Sequence, residues 1–212
     1  MKKLLSIVLA ALLVLTMVPF AVAEEAAGEN VLTIAMATKP SLDLHWNAGS
    51  TGAALMNMLR EGLYRVTENN IELAGATDLE VSEDGLTWTF KLREDALWSD
   101  GQPVTAKDYV YSMQRLVNPE VSSIYMLDYG CYLLNGTAIS NGEMPLEELG
   151  VKAIDDYTLE IKLQEACSYF DAMLCYTSFF PLREDTVVED GTGHWAWEVE
   201  RSITNGRMIM TA

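Results

Sequence analysis

Two seven-residue stretches, LTWTFKL (86–92) and YTLEIKL (157–163), change side-chain character at every position. Leu86, Trp88, Phe90 and Leu92 fall on one face of the first, and Tyr157, Leu159, Ile161 and Leu163 on one face of the second. In an extended chain successive side chains point to opposite faces. Each stretch therefore reads as a half-buried strand, with one face on a core and one toward water. A turn precedes each, Ser82-Glu83-Asp84-Gly85 in one case and Asp155-Asp156 in the other, and short runs LEV (79–81) and VKAI (151–154) stand before the turns. The pattern predicts two hairpins of similar build.

Helical spacing appears between and around them, so the fold class is mixed α/β. TGAALMNMLREGL (51–63) spaces Leu55, Met58 and Leu59 on one face, with Gly62 near its end, and CSYFDAMLCY (167–176) does the same with Phe170, Met173 and Leu174. Residues 135–150, rich in Asn-Gly, read as a loop. The clearest helix start is the corner LWSDGQPVTAKDYVYSMQRL (97–116). Ser99-Asp100-Gly101 makes a turn and Pro103 fixes the entry. Thr105 and Asp108 have capping-box spacing, and Val104 and Tyr109 stand where a hydrophobic staple would pack. Tyr109, Met113 and Leu116 then share a helical face until Asn118-Pro119 ends it. Trp98, just before the turn, is predicted to plug the corner.

The first 23 residues have the layout of a secretory signal peptide: Lys2 and Lys3, an apolar run from Leu4 to Val18, and a small-x-small cleavage site at Ala21-Val22-Ala23. That run is shorter than the roughly 20 residues a spanning helix needs. The first cysteine is Cys131, so no lipid-attachment cysteine stands at the cleavage point. The expectation is an exported chain, periplasmic or extracellular, soluble after cleavage and without direct membrane insertion. A net charge of −17, more acidic still without the leader, argues against nucleic-acid partners and anionic membrane surfaces.

Chemistry-bearing motifs are missing. Cys131, Cys167 and Cys175 form no C-x-x-C pair and are odd in number. Cys167 and Cys175 could bridge after export, but packing as small core thiols is the preferred reading. His45 and His194 lie far apart with no metal-ligand spacing, and His45 is assigned to packing or capping. No nucleophile elbow and no placed carboxylate pair are present. The expectation is a protein that is not an enzyme and carries neither cofactor nor metal.

The stretch DGLTWTFKLREDALWSDGQPVTAKDYVYSMQRLVNP closely resembles the signature region of the bacterial extracellular solute-binding proteins that serve oligopeptide and dipeptide ABC importers (family 5). PSLDLHWN, LREGLYRV, LGVKAIDDYTLEIKL, CSYFDAML and SITNG fall in the family's order, so the resemblance runs over residues 31–206. It implies a periplasmic binding protein-like II architecture. After the leader, residues 24–60 would start the main lobe, residues 61–183 would form the extra small α/β domain of this class, and residues 184–212 would return to the main lobe. Family members are more than twice as long. The second lobe and the charged residues that grip peptide termini have no counterpart here, and Arg207-Met208-Ile209-Met210 departs from the family's pattern. The expectation is a truncated or fragmentary form that does not close a ligand chamber alone.

The resemblance also implies a function and a site. The family's members bind short peptides and deliver them to a membrane permease, and these would be the partners here. The segment that runs beside the bound peptide corresponds to Ala48, Gly49 and Ser50, and the tyrosine that reaches the ligand from the extra domain to Tyr125. Gly49 suits a close backbone approach. Ala48 stands where some relatives carry an acid, which argues against a cationic ligand there. Two alternatives remain open: a family member for another small solute, such as a nickel chelate or an oligosaccharide, and a sensor or interaction module outside transport.

Overall fold

The computed structural model describes residues 31–35, 39–188, 194–198 and 201–211. The predicted leader and its cleavage site lie outside them. The chain divides into a unit ending at Thr38 and a unit from Lys39 to Ala212. The described part of the first, residues 31–35, is exposed chain without regular structure.

Within the second unit the two predicted hairpins form. Strand β3 (Ala76–Val81) pairs antiparallel with β4 (Thr87–Leu92), and β5 (Val151–Asp155) with β6 (Thr158–Lys162). The hairpins then join through their second strands, giving a four-stranded antiparallel sheet ordered β3-β4-β6-β5. Trp88 lies opposite Ile161 and Phe90 opposite Leu159. The two alternating stretches thus contribute to one buried face, where facing side chains are the unit of sheet stability. Lys91, on the other face, donates to the Thr158 hydroxyl at 2.7 Å. A small ribbon, β1 (Tyr64–Val66) with β2 (Ile71–Leu73), precedes the sheet.

Helix α1 spans Ser50–Leu59 and helix α2 spans Ala106–Val117. The Asp108 carboxylate accepts from the Thr105 N–H at 2.7 Å, the carboxylate arm of the predicted capping box. Val104 and Tyr109 are both buried, as a staple requires. Trp98 is 2 % exposed, and its Nε1–H points to the Asp108 carboxylate at 3.4 Å. The corner is plugged as predicted. Helix α2 lays Tyr109, Met113 and Leu116 against the sheet over β5 and β6.

Two predicted helices and one predicted loop come out differently. The helix predicted over 51–63 stops at Leu59, and the cause is tertiary. Gly206 N–H donates to the Leu59 carbonyl at 2.9 Å, and Met208 N–H to the Met58 carbonyl at 3.2 Å. The helix's last carbonyls are satisfied by a passing segment, and Gly62 is not the terminator. The helical stretch at 167–176 shrinks to one turn, α4 (Phe170–Met173), followed by a 3-10 turn at Thr177–Phe179. The predicted loop contains a short helix, α3 (Gly136–Ser140), which starts from Asn135 in the left-handed conformation. All three cysteines are free; Cys167 is buried and the other two half-buried.

Two cores result. The larger runs from Leu63 to Phe179 and contains the sheet's inner face and α2. The smaller gathers Leu42, Leu44, Met56, Phe180, Leu182 and Trp195.

Candidate functional site

The site is built outward from a buried polar cluster in the smaller core. Arg115, near the end of α2, grips Asp43 with both ends of its guanidinium, Nη1 to Oδ1 at 2.7 Å and Nη2 to Oδ2 at 2.8 Å. Both side chains are almost fully buried, at 3 % and 1 % exposure. Asp43 also accepts from the His45 N–H at 3.0 Å and from the Trp195 indole at 3.3 Å. Burial pushes the Asp43 carboxyl upward, but the hydrogen bonds and charge of Arg115 outweigh it and hold it below its ordinary range.

His45 fixes its own tautomer. Arg115 Nη1 lies 2.9 Å from His45 Nδ1, and an arginine only donates, so Nδ1 must accept. The ring proton therefore sits on Nε2 and is donated to the Ser178 carbonyl at 3.1 Å. Burial first, and Arg115 second, lower its pKa to about 4. Of the two roles expected from the sequence, packing or capping, the buried ring takes packing, with a polar duty added.

This cluster holds the chain just before the predicted ligand strip. The His45 carbonyl accepts from the Ile124 N–H at 3.2 Å and from the Ser123 hydroxyl at 3.2 Å. Those bonds set the turn after α2 against residues 45–47, and the Tyr125 hydroxyl then donates to the Asn47 carbonyl. Burial and Asp128 push the Tyr125 phenol pKa up, so the hydroxyl keeps its proton and acts as donor. Tyr125 thus meets the chain one residue before Ala48, and the predicted site residues come together in one place.

Their roles differ from one another. Ala48, Gly49 and Ser50 are exposed. Gly49 is the N-cap of α1, and the Asn47 carboxamide accepts from its N–H at 3.3 Å and donates to its carbonyl at 3.1 Å. In this strip the main-chain groups without a partner among the described residues are the N–H and carbonyl of Ala48 and the N–H of Ser50, the first residue of α1. Gly49 has φ −131° and open space where a Cβ would stand, so any side chain can occupy the position. The close contact belongs to Gly52, where a Cβ would lie 2.1 Å from Asn47 Oδ1.

Asp43 and Arg115 escaped the sequence reading. Arg115 sits in the last turn of a helix, where a basic residue is usual in any case, and Asp43 lies 72 residues away. No local pattern joins them. Among the described residues no group of three or more His, Cys, Asp or Glu is placed to hold a metal. No described helix is long and apolar enough to cross a membrane.

Comparison with known proteins identifies the family and the fold. The sequence pattern of the bacterial extracellular solute-binding proteins, family 5 (middle), matches residues 70–207. The periplasmic oligopeptide-binding protein OppA of Escherichia coli is 39 % identical over 168 residues, 78 % of this chain and 30 % of that protein. The structure of Listeria monocytogenes OppA bound to peptide superposes with a TM-score of 0.77 at 39 % identity, over 85 % of this chain and 36 % of that one. The substrate-binding domain of an oligopeptide ABC transporter from Bacillus anthracis gives 0.76 at 39 % identity, over 81 % and 33 %. The chain spans about a third of the length of each relative.

Proposed function

The chain belongs to the bacterial extracellular solute-binding proteins of family 5, and from that premise we propose that it supplies part of the recognition surface of a peptide-importing ABC system. In this reading the protein acts outside the cytoplasm after removal of residues 1–23. A short peptide lies along Ala48-Gly49-Ser50 with Tyr125 beside it, and the loaded protein delivers it to a membrane permease. The supporting observation is the contact of the Tyr125 hydroxyl with the Asn47 carbonyl. It ties the tyrosine, from the turn after α2, to the exposed strip that begins at Ala48.

Recognition through main-chain groups suits a binder of many peptides. Ala48 offers an N–H and a carbonyl that nothing else takes up among the described residues. Pairing with a ligand's backbone leaves side-chain specificity loose, as in strand addition.

A chimera tests this, with the chain replacing the matching third of the Escherichia coli relative, and calorimetry against a panel of short peptides measuring affinity. The chimera should bind. Gly49→Val has room to fold and should weaken binding by blocking the ligand's approach. Tyr125→Ala should weaken it as well. Unchanged affinity in both variants would remove the site assignment.

A further inference from the structure

Arg60 follows the last residue of α1 and is 6 % exposed. Among the described residues its guanidinium makes no hydrogen bond and no ion pair. That is unusual, because a buried charge is normally held by a partner, as Arg115 is. The nearby carboxylates are committed. Asp43 is held by Arg115, His45 and Trp195, and Glu61 pairs with Arg65 at 3.2 Å. No fully enclosed side-chain nitrogen or oxygen among the described residues lacks a partner. The small exposure Arg60 keeps is therefore on its nitrogen atoms, with their donors open.

Arg60 lines a cleft of about 850 Å³ formed by α1, the β1–β2 ribbon, the turns around 172–180 and the segment 206–208. Met58, Tyr64, Val66, Ile71, Tyr176 and Phe180 make its walls largely apolar. Of the charged residues lining it, Glu61 and Arg65 neutralise each other, while Arg60 and Arg207 have no ion pair among the described residues. On a chain of net charge −17, this cleft carries an excess of positive charge. Its volume matches pockets that take small organic ligands, which are typically apolar with few polar groups fixing orientation.

We propose that this cleft binds a small organic carboxylate, with Arg60 taking the carboxylate and Tyr64, Tyr176 and Phe180 enclosing an apolar body. A guanidinium fork matches a carboxylate's two oxygens, and the apolar surroundings make that pairing stronger than it is in water. Burial lowers the arginine's pKa to about 10 against the attraction of Asp43, which has no hydrogen bond to it, so an anion in the cleft would give the guanidinium a direct partner. Neither Tyr125 nor the strip 48–50 lines this cleft, and the proposal does not rest on the peptide reading.

The same carboxylate chemistry has two sources, a free organic acid or a peptide C-terminus, and paired probes separate them. The purified chain is titrated with 4-phenylbutyrate and its amide, and with N-acetyl-Phe-Leu and its C-terminal amide. In at least one pair the acid should bind about tenfold or more tighter than the amide. The pair that shows the preference identifies the source. Arg60→Met should erase the preference and raise the thermal midpoint, because an apolar side chain of similar length replaces an unpaired buried charge. Arg60→Lys should keep part of the preference. Equal binding of acid and amide in both pairs, no binding at millimolar ligand, or a preference that survives Arg60→Met would overturn the proposal. The acid–amide comparison uses the unaltered chain, so a variant that fails to fold does not decide the matter.

Discussion

Arg115 and Asp43, 72 residues apart, form a bidentate ion pair that joins α2 to the start of the strip carrying Ala48 to Ser50. The pair is buried on both sides, so its two charges depend on each other more than on water. Replacing a buried pair by apolar residues can be neutral, but removing one member leaves the other charge uncompensated. Arg115→Met should therefore destabilise the fold by about 3–5 kcal/mol, read as a lower urea midpoint. A loss below about 1 kcal/mol would mean that water reaches Asp43 in the folded chain.

His45 adds a pH dependence with a definite sign. Its folded pKa is about 4 against an ordinary 6.5, lowered by burial and then by Arg115. Between these values the unfolded chain takes up a proton that the folded chain refuses. Stability is thus fully present above about pH 6.5 and is lost as the pH falls toward 4, by on the order of 3 kcal/mol. Asp43, whose carboxyl is also held low, extends the loss to lower pH. His45→Gln should flatten the profile between pH 6.5 and 4.5, and a proton NMR titration should show one of the two histidines changing state near pH 4. Equal stability of the unaltered chain at pH 7 and 4.5 would contradict the neutral tautomer.

How much of this was legible in the sequence depends on how far each contact reaches. Trp88, Phe90, Leu159 and Ile161 announced their faces because strand periodicity is local. The capping arm from Asp108 to Thr105 spans three residues and was equally plain. Periodicity names a face and not a neighbour, so the joining of β4 to β6 was not legible. Helix α1 ended early because donors from Gly206 and Met208 reach its carbonyls, a contact no window around residue 59 contains. The site shows the same division. Tyr125 and Ala48 to Ser50 could be named only through the family's pattern, while the Asp43–His45–Arg115 cluster beneath them left no local mark. Arg60 reads as an ordinary polar residue at a helix end until its burial is known.

Trp98 offers a test of the corner. It is 2 % exposed in the larger core, and its indole is one of the donors around the Asp108 carboxylate. Trp98→Ala should cost about 3–5 kcal/mol, as large-to-small core changes do. Trp98→Phe keeps most of the apolar volume and loses the donor, so it should cost less. If the two variants unfold at the same denaturant concentration, the hydrogen bond to Asp108 outweighs the packing.

Gly206 holds the segment 204–208 against the end of α1. Thr204 exchanges bonds with Ser99, donating to its hydroxyl at 3.1 Å and accepting from its N–H at 2.7 Å. Asn205 does the same with Glu61, accepting from its N–H at 3.1 Å and donating to its carbonyl at 2.8 Å. Between these clamps and the helix there is no space for a side chain at 206. A Cβ would lie 2.5 Å from both Arg60 N and the Leu59 carbonyl carbon, and those atoms are backbone that cannot rotate away. Gly206→Ala should therefore push the segment off α1 and cost about 1–3 kcal/mol, the usual range for overpacking. Hydrogen exchange locates the effect: the amides of Glu61, Gly206 and Met208 should lose protection while those of β4 and β6 keep it. Retained protection at all of these amides would show that the helix end and the segment can move apart without breaking their bonds, and that Gly206 is not what sets their spacing.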